Sequence, residues 1–152
     1  MSLYFENYAA KGNEIINMLS KELNVSQDSA GRILRSTLHA LRNRISLTES
    51  FHVLSQLPMA IKGIYVDGWN PHESIKRLRN RKDLINEIRN EDGLTSPYDF
   101  GDDEKTTKII KGVFRTLSYH ISIVEMQEIL HALPAELKII INESIGIHKA
   151  AL

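Results

Sequence analysis

The chain has 152 residues, enough for one domain or two small halves sharing a core, and its composition, 42% hydrophobic and 25% charged, is that of a globular protein. Lys plus Arg and Asp plus Glu each total 19, so no overall charge points to nucleic acid or an anionic membrane surface. The absence of cysteine removes disulfides, thiolate nucleophiles, iron–sulfur clusters and most structural zinc sites, and no stretch approaches the ~20 apolar residues of a membrane span. With Glu6 and Lys11 interrupting any leader pattern, a cytoplasmic location is expected.

Leu3, Tyr4, Phe5 and Tyr8 form an aromatic cluster expected to pack on the body. Ile15, Ile16, Leu19 and Leu23 recur at helical spacing and predict a helix over 13–23, stopped by Asn24. Ser26 offers a side-chain oxygen to an orphan amide of the next helix. That helix, 27–44, has the clearest pattern in the chain. Ala30, Ile33, Leu34, Thr37, Leu38, Leu41 and Ile45 fall on one side, while Arg32, Arg35, His39 and Arg42 fall on the other. One face in the core and one in water are expected.

Ser46 and Glu49 have capping-box spacing, in which each side chain accepts from the other residue's backbone amide. They predict the start of another helix, with Phe51, Leu54 and Leu57 inward. Pro58 has no amide to donate, so the chain must break near Leu57. Pro58 is expected at the first position of a helix reaching Val66, with Ile61, Ile64 and Tyr65 inward. Asp67-Gly68-Trp69-Asn70-Pro71 reads as a turn. A helix over 75–90 follows, apolar at Ile75, Leu78, Leu84, Ile85 and Ile88, with a basic run of Lys76, Arg77, Arg79, Arg81 and Lys82. Residues 91–104, with Gly93, Pro97 and Gly101, read as a loop. It holds Glu91, Asp92, Asp99, Asp102, Asp103 and Glu104 and no Lys or Arg. Asp102 and Asp103 are placed to cap the helix that follows.

From Lys105 the earlier pattern returns at an offset of 76 (121 − 45). Between 32–65 and 108–141 there are 34 aligned pairs without a gap, and ten are identical. They include Ile45/Ile121, Ser46/Ser122, Glu49/Glu125, Leu57/Leu133 and Pro58/Pro134, where chance gives about two identities. Ile15-Ile16-Asn17 likewise resembles Leu84-Ile85-Asn86. The expected fold class is all-α: a helical bundle of about eight helices built from two tandem four-helix pseudo-repeats. These run about 13–66 and about 75–142, joined by a linker at 67–74 within a single domain, 1–152.

Three strings carry a family resemblance: Leu38-His39-Ala40-Leu41-Arg42-Asn43-Arg44-Ile45, Gln56-Leu57-Pro58, and Gly63-Ile64-Tyr65 followed by Gly68-Trp69 and Pro71. Together with Leu133-Pro134 they resemble the bacterial DUF2267 family, a domain of unknown function, over nearly the whole chain. The resemblance implies an all-helical bacterial cytosolic protein and supplies no activity, substrate or site residues. The acidic loop does not match the family pattern.

The strongest candidate chemistry is charge. Residues 30–48 and 105–124 contain cations and no acid, and Arg32, Arg35 and His39 correspond in the repeat to Lys108, Lys111 and Arg115. Arg32, Arg35, His39, Arg42, Lys108, Lys111 and Arg115 are therefore a candidate surface for nucleic acid or another polyanion. The plainer reading is two solvated faces neutralised by neighbouring helices. In the same way the basic run 76–82 would either bind phosphate or hold the acidic loop. Tyr65 and Trp69 are a candidate interaction surface, set against packing at the junction between halves. The six histidines show no metal-ligand spacing, Gly101 stands where a calcium-loop ligand is needed, and no phosphate loop or catalytic motif is present. The expectation is a non-catalytic protein without a cofactor that acts by binding a protein partner or itself, with polyanion binding as the alternative.

Overall fold

The computed structural model describes residues 4–70 and 77–145. Leu3, Pro71, Ile75 and Lys76, and two of the six histidines, His72 and His148, lie outside the described residues. The chain is all-helical. Its elements are α1 (Phe5–Leu23), α2 (Gln27–Asn43), α3 (Leu47–Gln56), α4 (Met59–Val66), α5 (Arg81–Asp92), a 3-10 turn (Gly93–Thr95), the one-turn α6 (Ser96–Asp99), α7 (Asp103–Ser118), α8 (Ile123–Ala132) and α9 (Ala135–Ile145).

The local signals act where they were read. Asn24 ends α1 in the left-handed region at φ 55°, its amide turned back onto Lys21 and Ser20 carbonyls. Ser26 caps α2 by accepting from the Ser29 amide, and Asp102 caps α7 by accepting from Lys105. Both capping boxes are complete: Ser46 with Glu49, and Ser122 with Glu125, each in both directions.

Several boundaries and facings differ. α1 begins at Phe5 rather than near residue 13, because its first turns are helical without burying an apolar stripe. Tyr4 and Phe5 are exposed rather than packed on the body, and Phe5 stands edge-on to Tyr8, at 6.3 Å between ring centres. α5 begins at Arg81 rather than 75, where the Asn80 side chain accepts from the Asp83 amide and Asp83 accepts from Arg79. Pro58 is the residue before α4, in extended conformation, rather than its first helical residue. The expected loop 91–104 is largely helical, reversed at Gly93 and Gly101, both with φ near +66°.

The facing of α3 also corrects the expectation. Phe51 is 59% exposed, while Ser50 and Val53 point into the core. Ser50 is stable there because its hydroxyl shares a 2.7 Å hydrogen bond with the Tyr65 hydroxyl.

The long helices α2 and α7 lie at the centre. α5 packs mainly on α2, α1 packs on α7, and α3 and α8 pack on each other. α2 buries eleven of its residues, polar Ser29, Ser36 and Thr37 among them. At Gly112 a Cβ would stand 2.5 Å from Leu23 Cδ2, so glycine lets α1 settle directly on α7. Among the described residues no helix is long and apolar enough to cross a membrane.

Candidate functional site

The expected water-facing stripe of α2 is for the most part not in water. Asp99 of α6 is 1% exposed and receives Arg32 through two hydrogen bonds, from Nε at 2.8 Å and Nη2 at 2.9 Å, with Ser29 Oγ donating at 2.6 Å. This fork-to-carboxylate geometry is the strongest form of ion pair. Burial pushes the Asp99 carboxyl up, but the bonds from Arg32 and Ser29 outweigh it and hold it below its ordinary value. Beside it the Asp92 carboxyl is pushed up to about 6, by burial first and by Asp99 second. Its Oδ2 is buried and close to the Asp99 carboxylate.

One turn further along α2, Arg35 is exposed and meets Asp67 at 2.7 Å, which holds that carboxyl low. His39 and Arg42 are buried rather than solvated. The His39 Nε2 lies 2.7 Å from the Ile64 carbonyl, an acceptor only, so Nε2 carries the proton; burial pushes the imidazole down and favours its neutral form. Arg42 Nη1 donates to the carbonyls of Tyr65 at 2.6 Å and Asp67 at 2.7 Å. Its guanidinium carbon lies 5.9 Å from the centre of the Trp69 ring. Together His39 and Arg42 satisfy carbonyls that the end of α4 leaves open.

Tyr65 is a core residue, 0% exposed, so it belongs to no recognition surface. Trp69 is half-buried and stands edge-on to Tyr65, ring centres 5.8 Å apart. Burial pushes the Tyr65 hydroxyl up to about 12. The turn after α4 is thus a packed junction of Arg42, Tyr65 and Trp69.

The α7 stripe is more open. Lys108 lies 3.7 Å from Glu104 with both side chains largely in solvent, Lys111 is 3.2 Å from Glu143 of α9, and Arg115 is 2.6 Å from Glu22 of α1. Arg115 Nε also donates to the Ser144 carbonyl, much as His39 serves the carbonyl of Ile64. The cations of both stripes are largely drawn into separate pairs. The α2 cations pair with α4, α6 and the turn after α4, and of the four α7 cations Lys111 and Arg115 pair with α9 and α1. The basic run divides too: Lys82, joined by Arg89 from beyond the run, reaches Asp103 of the acidic segment, whereas Arg81 reaches Glu143. Among the described residues no three His, Asp or Glu side chains are grouped so as to hold a metal ion.

Sequence reasoning missed the outer faces of α3 and α8. Leu47 and Phe51 on α3 are exposed, as are Ile123 and Val124 on α8, the last by 68%. Helical spacing alone does not separate Phe51 from the core set, but Ser50 opposite the Tyr65 hydroxyl would have given the phase. Neither helix carries a Lys or Arg, while Glu49, Glu125 and Glu128 lie on them.

Comparison with known proteins agrees with the resemblance. No curated protein matches the chain. The family described as "Uncharacterized conserved protein (DUF2267)" matches residues 12–140, most of the chain. The chain belongs to the DUF2267 family.

Proposed function

We propose that this is a non-catalytic protein that binds a protein partner through the paired outer faces of α3 and α8. The observation that carries the reading is the exposure of Leu47, Phe51, Ile123 and Val124 on two helices packed together. Large apolar side chains exposed on two neighbouring helices support an interaction site, whose mark is a contiguous apolar patch. The charge of the same helices defines the occupant. With acids and no Lys or Arg on α3 or α8, the complementary partner is an apolar helix face rimmed by Lys or Arg. A second copy of this chain would bring like charges together and is disfavoured. Polyanion binding through both basic stripes ranks lower, because the α2 cations are engaged by Asp99, Asp67 and backbone carbonyls.

The test is a titration with two designed amphipathic helices, one of Leu and Lys and one of Leu and Glu. The Leu/Lys helix is expected to bind and the Leu/Glu helix not, and Phe51→Asp with Val124→Asp is expected to weaken binding at least tenfold. Equal binding of both peptides, or undiminished binding to the variant, overturns the proposal. So does a homodimer in light scattering that Phe51→Asp dissociates.

We also infer that the two halves are copies of one four-helix unit. Supporting this are the ten identities at constant offset, two complete capping boxes at that offset, and packings that come in corresponding pairs: α5 on α2 and α1 on α7. Ser46→Ala and Ser122→Ala are each expected to lower stability by about 1 kcal/mol in denaturant titrations. In a crystal structure, halves that fail to superpose Ser46 on Ser122 and Pro58 on Pro134 would sink the idea.

A further inference from the structure

We propose that the cleft between the end of α1 and the exposed flank of α7 binds a small amphipathic anion. The apolar body lies on Leu23, Val25 and Ile109, and the anionic head meets Lys105 and Lys108. This site shares no residue with the α3–α8 face and stands or falls independently of it.

The cleft holds about 410 Å³, and its lining divides by chemistry. Leu23, Val25, Ile109 and Gly112 supply its apolar part and Lys105, Lys108, Lys111 and Arg115 its cations, while the one acid of the lining, Glu22, is paired with Arg115. Leu23 packs directly over Gly112, which keeps that apolar part continuous between α1 and α7.

The cations differ in their commitments. Arg115 is held by Glu22 and the Ser144 carbonyl, and Lys111 by Glu143, so these two are fixed parts of the lining. Lys108 has only the 3.7 Å contact with Glu104 between side chains 76% and 83% exposed, a pairing of little worth in water. Lys105 has no ion pair among the described residues. Two ammonium groups in a partly apolar lining are thus open to a ligand.

The combination selects the ligand class. A bare anion gains little from lysines in water, where the high dielectric weakens the attraction. A neutral apolar molecule covers the apolar lining but leaves the cations unused. A molecule with both parts buries the apolar lining, and its apolar body thins the water around the lysines, which strengthens the charge interaction. Pockets for small molecules commonly combine an apolar lining with a few orienting polar groups in this way.

The experiment uses the full chain with 8-anilinonaphthalene-1-sulfonate as probe. One-to-one binding with blue-shifted emission is expected, with amide shifts in NMR spectra moving at Val25 and Gly112. Lys105→Glu with Lys108→Glu is expected to weaken binding at least tenfold. Lys105→Gln with Lys108→Gln, which adds no repulsion near Glu104, is expected to weaken it several-fold at unchanged melting temperature. Inorganic phosphate and the neutral N-phenyl-1-naphthylamine are each expected to bind at least tenfold more weakly. Undiminished binding in both double variants overturns the proposal, as does equal binding of phosphate or of the neutral analogue. Shifts at α3 and α8 in place of Val25 and Gly112, or sedimentation with phosphatidylglycerol vesicles in place of one-to-one binding in solution, also overturn it.

Discussion

Replacing Asp99 with alanine is expected to lower stability by about 3 kcal/mol, a fall in melting temperature on the order of 6–12 °C for a chain of this length. The Asp99 carboxylate is buried and accepts three hydrogen bonds, two from Arg32 and one from Ser29. Its loss leaves the Ser29 hydroxyl, on a buried residue, without this acceptor, and takes from the Arg32 guanidinium its two bonds to this carboxylate. Asp99→Asn tests shape against charge: the amide fills the same space but cannot neutralise Arg32, so it should recover little of the loss. A variant that melts with the wild type would show that α6 is not held to α2 through this carboxylate.

The neighbouring Asp92 gives the same cluster a pH signature. Its carboxyl is raised in the fold to about 6 from 3.8, so its favourable contribution is fully present below 3.8 and is lost as pH rises through 6. Asp99 is shifted down, so its contribution is present above 3.8 and is lost as pH falls through its lower folded value. The two titrate as a pair. Lowering the pH from 7 to 5 should therefore make this cluster more stable, by about 1 kcal/mol once solvent screening of the partly exposed Asp92 is allowed for. Asp92→Asn should remove that rise, which urea titrations at the two pH values would show.

The second large effect is expected at Arg42. Arg42→Ala should cost about 3 kcal/mol, because the Tyr65 and Asp67 carbonyls lose a charged donor and Trp69 loses the guanidinium beside its ring. Arg42→Lys should rescue it poorly, since a point ammonium lacks the planar fork and the stacking surface. Arg35→Ala, two turns earlier in the same sequence stripe, should melt close to the wild type because its pair with Asp67 is exposed. Chemical denaturation of the three variants is the measurement. Equal effects at Arg35 and Arg42 would mean that the buried and exposed cations of α2 do not differ as the geometry requires.

That contrast shows where reading the sequence runs out. Arg35 and Arg42 look alike in a helical projection, because periodicity reports only which side a residue takes on its own helix. Whether another element covers that side is a property of the whole fold. Here α4, α6 and the turn after α4 cover the polar side of α2, and the cations there became partners of carbonyls and a carboxylate. The same limit hid Phe51, since a helix as short as α3 fits two phases almost equally well and the deciding partner, Tyr65, comes fifteen residues later.

By itself the sequence determined the all-helical class, the stops and starts at Asn24, Ser26, Ser46, Asp102 and Ser122, and the break at Pro58. These are local matters, settled by side chains that satisfy or deny backbone groups within a few residues. The missed start at Asn80 was legible by the same logic, since Asn80 and Asp83 have the spacing of the other caps. Only the tertiary structure decided that His39 and Arg42 are buried, that Tyr65 is core, and that Leu47, Phe51, Ile123 and Val124 face outward. It also decided which lysines stay uncommitted, because an ion pair between α7 and α1 or α9 spans distances in sequence over which no local pattern carries information.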